Sequence, residues 1–101
     1  MPPLPLINNQ EEIKKAGNVF RALANPLRKR MLQLLEEKEQ ANVTQIYAEL
    51  KLEQSVASQH LKILRDANLV ETQRQGKLIV YKVNYNHLSK VEKIVGELLS
   101  V

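Results

Sequence analysis

Hydrophobic residues recur at helical spacing along the first part of the chain. Over residues 10–24 they fall on one face of a helix. Asn25 and Pro26 then favour a new helix start, because asparagine is a strong N-cap and proline fits the first helical position. The pattern therefore predicts a helix over 10–24 and a second over 26–39. The apolar residues of the first are Ile13, Ala16, Phe20 and Leu23, at the spacing of one helix face, and the inward positions of the second are Leu27, Met31, Leu34 and Leu35.

Two further helices are predicted before the pattern changes. Asn42 and Gln45 have the spacing of a capping box, which opens a third, short helix that stops near residues 51–52. The stretch QSVASQHLKILRDAN, residues 54–68, has helical periodicity throughout. Asn68 ends it, since asparagine tolerates the left-handed conformation that closes helices. A short helix, a tight turn and a longer helix together predict a helix-turn-helix.

The remainder of the chain predicts a hairpin and a last helix. LVETQRQGKLIVYKVN alternates loosely, is rich in β-branched residues and has Gly76 at its centre, which is typical of a β-hairpin. After Asn86 the helical period returns. The predicted fold class is mainly α, a winged helix-turn-helix with five helices and a two-stranded β-hairpin wing. Residues 1–9 are proline-rich and expected to be extended, so one domain is predicted over 10–101.

The fourth predicted helix has two distinct faces. At about 100° per residue, its apolar side chains fall between about 180° and 340° from Gln54, and we expect this arc to dock on the domain. The opposite face carries short polar side chains and then cations. Serine and glutamine can approach base edges closely, and lysine and arginine contact phosphates. The predicted DNA-binding residues on this face are Gln54, Ser55, Ser58, Gln59, Lys62 and Arg65.

A solvated surface is the alternative interpretation of this polar face. The hairpin that follows it favours DNA, because Arg74 and Lys77 flank the tip, where a wing would reach the backbone or the minor groove. His60 lies near 240°, in the apolar arc, so we expect a partly buried histidine bonded within the domain. For His87, near the start of the last helix, we expect a surface or capping role, since no second ligand lies at metal-binding spacing.

The first and last helices have apolar stripes wider than one packed neighbour requires. A domain of this size cannot bury them alone, and a two-fold homodimer through these helices would cover them. The alternative is that the last helix packs deep in its own core. The predicted dimer-interface residues are Ile13, Phe20, Leu88, Val91, Val95 and Leu98.

Composition and charge argue against several classes of site and of protein. The chain has 101 residues, a net charge of +4 and no cysteine, which removes disulfides, thiolate metal sites and cysteine nucleophiles. The positive charge permits a polyanionic partner such as double-stranded DNA. Apolar runs are too short for a membrane span and no signal peptide is visible, so a cytoplasmic protein is expected. The sequence shows no nucleophile–base pair and no glycine-rich loop that would indicate an enzyme.

Three segments, FRALANPLRKRMLQLL, VTQIYAELKLEQSVASQHLKILRDANLV and RQGKLIVYKV, resemble the ArsR/SmtB family of bacterial winged-helix repressors. The resemblance covers about residues 16 to 98 in one register, and SQHLKILRDANLV is its most specific part. It implies a dimer that binds an inverted-repeat operator and usually represses transcription. It also implies DNA contacts from Gln54, Ser55, Ser58 and Gln59, with wing support from Arg74 and Lys77.

The departures from the family concern its sensory sites. Where many members carry metal-sensing cysteines, this chain has Asn42 to Thr44. Where others bind zinc on the last helix, His87 is followed by Lys90 and Lys93. We therefore predict no metal site and no cofactor. Lys51 and Glu53 also stand where the family often has a glycine and a capping serine. The alternatives are a protein-interaction module, disfavoured by a polar face without aromatic anchors, and a metal-responsive repressor with an atypical site.

Overall fold

A computed structural model describes the backbone of residues 10–99 and the side-chain surroundings of 10–11 and 13–93. It contains the five predicted helices, a hairpin and one further short strand. The predicted extended segment 1–9 lies outside the described residues. The elements are α1 Gln10–Leu23, α2 Pro26–Lys38, β1 Ala41–Asn42, α3 Val43–Glu49, α4 Gln54–Asp66, β2 Val70–Gln75, β3 Leu78–Val83 and α5 Tyr85–Leu99.

Side-chain caps begin α2 and α3 where the sequence predicted them. The Asn25 Oδ1 accepts hydrogen bonds from the backbone N–H groups of Leu27 at 2.8 Å and Arg28 at 3.1 Å. Asn42 and Gln45 exchange reciprocal bonds of 2.9 Å between side chain and backbone, which confirms the capping box. These bonds satisfy amide groups that have no partner within the helix.

Left-handed residues end the two helices of the helix-turn-helix. Lys51 has a φ of 56° after α3, and Asn68 has a φ of 59° after α4. In each case the next residue donates back across the last turn, Leu52 N to the Tyr47 carbonyl at 2.9 Å and Leu69 N to Leu64 at 3.0 Å. This pattern is the Schellman motif. The tight turn between α3 and α4 therefore depends on a lysine in a conformation that glycine adopts more easily.

The sheet is antiparallel and has the strand order β1-β3-β2. In the hairpin Val70 pairs with Val83 at the base and Gln75 with Leu78 at the tip, so Gly76 and Lys77 form the turn. Gly76 has a φ of 64°. The prediction of a two-stranded wing missed β1, because a strand of two residues has no alternating pattern to detect.

The core lies where α1, α2, α3 and α4 meet the base of the hairpin. Its largest fully buried side chains are Met31, Leu34, Leu35, Ile46, Leu61, Leu64, Leu69 and Val19. The wing tip extends away from this core, and its residues from Gln73 to Ile79 are exposed. Among the described residues, no helix has the length and hydrophobicity that crossing a bilayer requires.

Candidate nucleic-acid interface

Helix α4 is amphipathic in the structure as well as in the sequence. Ala57, Leu61 and Leu64 are buried against the core. All six predicted DNA-binding residues of the helix, Gln54, Ser55, Ser58, Gln59, Lys62 and Arg65, are exposed. Packing of the apolar side therefore holds an uninterrupted polar side toward solvent.

Ile63 does not follow the predicted arrangement. We expected the whole apolar arc to dock on the domain, but Ile63 is 41% exposed. It lies at about 180° on the helical wheel, at the edge of the arc and next to Gln59 at about 140°. The prediction is therefore wrong for this residue, because the edge of an amphipathic face is not covered by the elements beneath it.

An ion pair lies on the exposed side of α4 and was missed by the sequence analysis. The Lys62 Nζ is 2.8 Å from the Asp66 Oδ2, and both side chains are exposed. Asp66 falls at about 120° on the wheel, inside the polar arc. The sequence signal was present, since these residues are four apart, an orientation that pairs opposite charges along a helix.

The N-terminus of α4 is open. Glu53 is its N-cap, yet its side chain makes no capping hydrogen bond. The first amide groups of the helix are therefore free of a side-chain cap, and the end of the helix dipole favours an anion such as phosphate. The exposed Glu53 carboxylate opposes such an anion by charge repulsion.

His60 is half-buried and bonded within the domain, as predicted. Its Nδ1 lies 3.2 Å from an Arg28 guanidinium nitrogen. Arginine can only donate, so Nδ1 accepts and the neutral imidazole carries its proton on Nε2. Burial, and then the charge of Arg28, lower the pKa of His60 from its ordinary value. Sequence reasoning did not find Arg28 as its partner, since the two residues are far apart in the chain.

The wing carries both predicted cations at its tip. Arg74 and Lys77 are exposed, and the Arg74 Nε donates to the Gly76 carbonyl at 3.2 Å. Arg74 therefore also supports the turn. The tip also exposes apolar side chains, since Leu78 is 54% and Ile79 is 53% exposed. The tip therefore presents two cations beside two exposed apolar side chains.

The predicted dimer residues divide into three groups. Ile13 and Phe20 on α1 are half exposed, at 50% and 51%, which leaves an apolar surface uncovered. Leu88 packs against the core, and Val91, at 6% exposure, belongs to it. Val91 thus follows the alternative that helix five packs in its own core, and it has little surface left for a partner. The side chains of Val95 and Leu98 lie outside the described residues.

His87 is not the surface residue that we expected. Asn84 caps this end of α5 instead, because its Oδ1 accepts from the His87 N–H at 3.2 Å. The His87 ring is half-buried, and its Nε2 is buried without a hydrogen-bond partner among the described residues. Burial, and then the charges of Lys90 and Lys15, lower its pKa. Within residues 10–93 no three metal-binding side chains lie together, and the absence of a metal site stays a prediction.

A helix-turn-helix with an exposed polar second helix, followed by a hairpin, defines a winged helix-turn-helix domain. The sequence profile of bacterial regulatory proteins of the arsR family matches residues 25–72. Together with the relatives below, this match shows that the chain belongs to the ArsR family of transcriptional regulators.

Three similar proteins illustrate the relationship. The nodulation protein NolR of Rhizobium meliloti is 37% identical over 101 residues, which is 100% of this chain and 79% of NolR. The crystal structure of the transcriptional repressor PagR of Bacillus anthracis has a TM-score of 0.70 at 33% identity, over 89% of this chain and 99% of PagR. A homodimeric winged helix-turn-helix DNA-binding domain from Mycobacterium bovis has a TM-score of 0.71 at 25% identity, over 87% of this chain and 81% of that domain.

Proposed function

We propose that this protein is a cytoplasmic transcriptional repressor that binds an inverted-repeat operator as a homodimer, without a metal or other cofactor. The observation that carries the proposal is the exposed polar side of α4, where short Gln and Ser side chains precede two cations. The amide and hydroxyl groups of Gln and Ser can hydrogen-bond to base edges in the major groove, whereas Lys62 and Arg65 can contact phosphates. The wing adds Arg74 and Lys77.

The dimer is supported by the surface of α1. Ile13 and Phe20 fall on one side of this helix and leave about half of each side chain in water. A second copy related by a two-fold axis would cover them and would place two α4 helices on one side of the duplex. The similar M. bovis domain is a homodimer, and PagR is a repressor. Ile13→Asp and Phe20→Asp should therefore favour the monomer in sedimentation experiments.

The experiment selects duplexes from a randomised pool with the wild-type protein and then compares variants on one enriched duplex and one random duplex. Gln59→Ala should weaken binding to the enriched duplex by about 1–3 kcal/mol and change binding to random DNA little, as expected for a residue that reads a base. Gln33→Ala, an exposed glutamine of α2, is the matched control. Equal binding by both variants, or no enrichment at all, would contradict sequence-specific recognition by α4.

A further inference from the structure

Arg28 connects three helices through one side chain. It lies in the first turn of α2, and its Nε donates to the Ala22 carbonyl at 2.9 Å. One terminal nitrogen donates to the Arg21 carbonyl at 3.0 Å, and the other lies 3.2 Å from the His60 Nδ1 on α4. The guanidinium therefore ties the C-terminal carbonyl groups of α1 to the middle of the proposed recognition helix. The planar guanidinium group of arginine, with several donors in a fixed arrangement, suits this role, whereas the compact ammonium group of a lysine does not.

The geometry between α1 and α4 matters for a dimeric DNA-binding protein. If α1 forms the dimer interface, the angle between α1 and α4 determines how far apart the two α4 helices enter the duplex. Half-site spacing is a direct consequence of that distance. A contact that fixes α4 against the end of α1 thus acts on operator recognition, although neither Arg28 nor His60 belongs to the polar face that would contact DNA.

We propose that Arg28 is a positioning residue that fixes α4 against α1 through the neutral ring of His60, and that protonation of His60 releases α4 and weakens sequence-specific DNA binding. The inference rests on the proposed function, since it concerns binding through α4. A protonated imidazole carries a hydrogen on Nδ1 and can no longer accept from Arg28. It would also place a second positive charge 3.2 Å from the guanidinium nitrogen.

Several charged groups on the elements around α4 contact or face groups other than His60. On α1, the Arg21 guanidinium donates to Asn18, and Lys15 acts on His87 instead. On α3, Glu49 pairs with the Lys38 ammonium at 3.0 Å. On β2, Glu71 stands opposite Lys82 in the sheet and is exposed.

The Asp66 carboxylate on α4 pairs with Lys62 on the exposed side of the helix. Desolvation of the half-buried ring, followed by the charge of Arg28, lowers the pKa of His60, in agreement with a site built for the neutral form. Mild acid would therefore charge His60 against its surroundings.

The test compares wild type, His60→Gln, His60→Ala and His87→Gln on a duplex that the wild type enriches at about pH 7.5, with a random duplex of equal length. Glutamine offers Arg28 an acceptor oxygen and does not titrate, whereas alanine offers none. His87→Gln removes the other histidine and serves as the control. A second duplex, with one base pair inserted between the half-sites, measures how strictly the two α4 helices are spaced.

As pH falls below about 6.5, wild type and His87→Gln should lose affinity for the enriched duplex, by at most about tenfold per pH unit for each of the two His60 rings in the dimer. His60→Gln should lose less than about twofold of its affinity for the enriched duplex, because the glutamine side chain does not titrate. At neutral pH, His60→Ala should discriminate less between the enriched duplex and its lengthened form, and His60→Gln should discriminate like wild type. Parallel pH profiles of wild type and His60→Gln would overturn the inference.

A titration by NMR gives a second measurement in the unaltered protein. Binding to a polyanion ordinarily raises the pKa of a histidine, because the negative potential favours the charged form. The enriched duplex should instead lower the pKa of His60, while the random duplex should not. An unchanged or raised pKa on the enriched duplex would also overturn the inference. Failure of the wild type to enrich any duplex at neutral pH would instead contradict the proposed function itself.

Discussion

The Lys62 ammonium of α4 lies 2.8 Å from the Asp66 carboxylate, one helical turn further along the same exposed side. An exposed pair of this kind contributes little to stability, about 0.3–0.5 kcal/mol. We expect a larger effect on DNA binding, because Asp66 pairs with a lysine that we expect to contact a phosphate and also adds a negative charge to the proposed interface.

Replacing Asp66 with Asn should therefore strengthen DNA binding. We expect affinity for enriched and random duplexes alike to rise by about three- to tenfold at low salt, and the gain to shrink as salt increases. Glu37→Gln is the matched control, since it makes the same charge change at an exposed pair, Arg30 with Glu37 at 3.5 Å on α2. Fluorescence anisotropy at several salt concentrations measures both. An equal gain in the two variants would show that only net charge matters.

Lys77 at the wing tip should act on phosphates without reading sequence. Lys77→Ala should weaken enriched and random duplexes about equally and lower the salt slope by about one unit, as expected for one lost ionic contact. Lys77 is a cleaner choice than Arg74, which also donates to the Gly76 carbonyl of the turn. Unchanged affinity on both duplexes would remove the wing from the mechanism.

Lys51→Gly should stabilise the fold. Lys51 has a φ of 56° at the end of α3, a backbone conformation that costs a residue other than glycine about 1 kcal/mol. The gain should appear as a higher Tm in a thermal melt, reduced in part because glycine is more flexible in the unfolded chain. Lys51→Ala is the control, because it removes the charge and keeps the strain. A lower Tm for the glycine variant than for the alanine variant would contradict this account.

Stability should fall in mild acid. The pKa values of His60 and His87 both lie below their ordinary value of 6.5 in the folded protein. Below that ordinary value the unfolded chain binds more protons than the folded one, so the free energy of unfolding falls as pH drops. The loss continues until the lowered folded-state values are passed. The double variant with glutamine at both positions should lose less Tm between about pH 7.5 and pH 5.5 than wild type.

Zinc should leave DNA binding unchanged at stoichiometric concentration. The chain has no cysteine, and the described part of it brings no three ligands together. Isothermal titration with zinc and a duplex-binding assay with and without the metal provide the measurement. A micromolar or tighter site that is lost on His87→Ala and releases DNA would instead identify the protein as a metal-responsive repressor.

Local chemistry in the sequence determined most of the fold. The capping residues Asn25 and Asn42 and the left-handed Asn68 act through atoms only a few residues away, so their types and spacing predicted where helices begin and end. The two periodicities separated helices from the hairpin, and the wheel of α4 separated its polar side from Leu61 and Leu64.

Tertiary structure decided what depends on distant parts of the chain. Strand β1 exists because Ala41 meets Tyr81, and two residues carry no periodic signal of their own. Ile63 is exposed and Val91 is buried, although both lie in apolar stripes, because coverage depends on which element packs above each position. The contact of Arg28 with His60 has the same cause, since it joins helices that only the packed core brings within 3.2 Å.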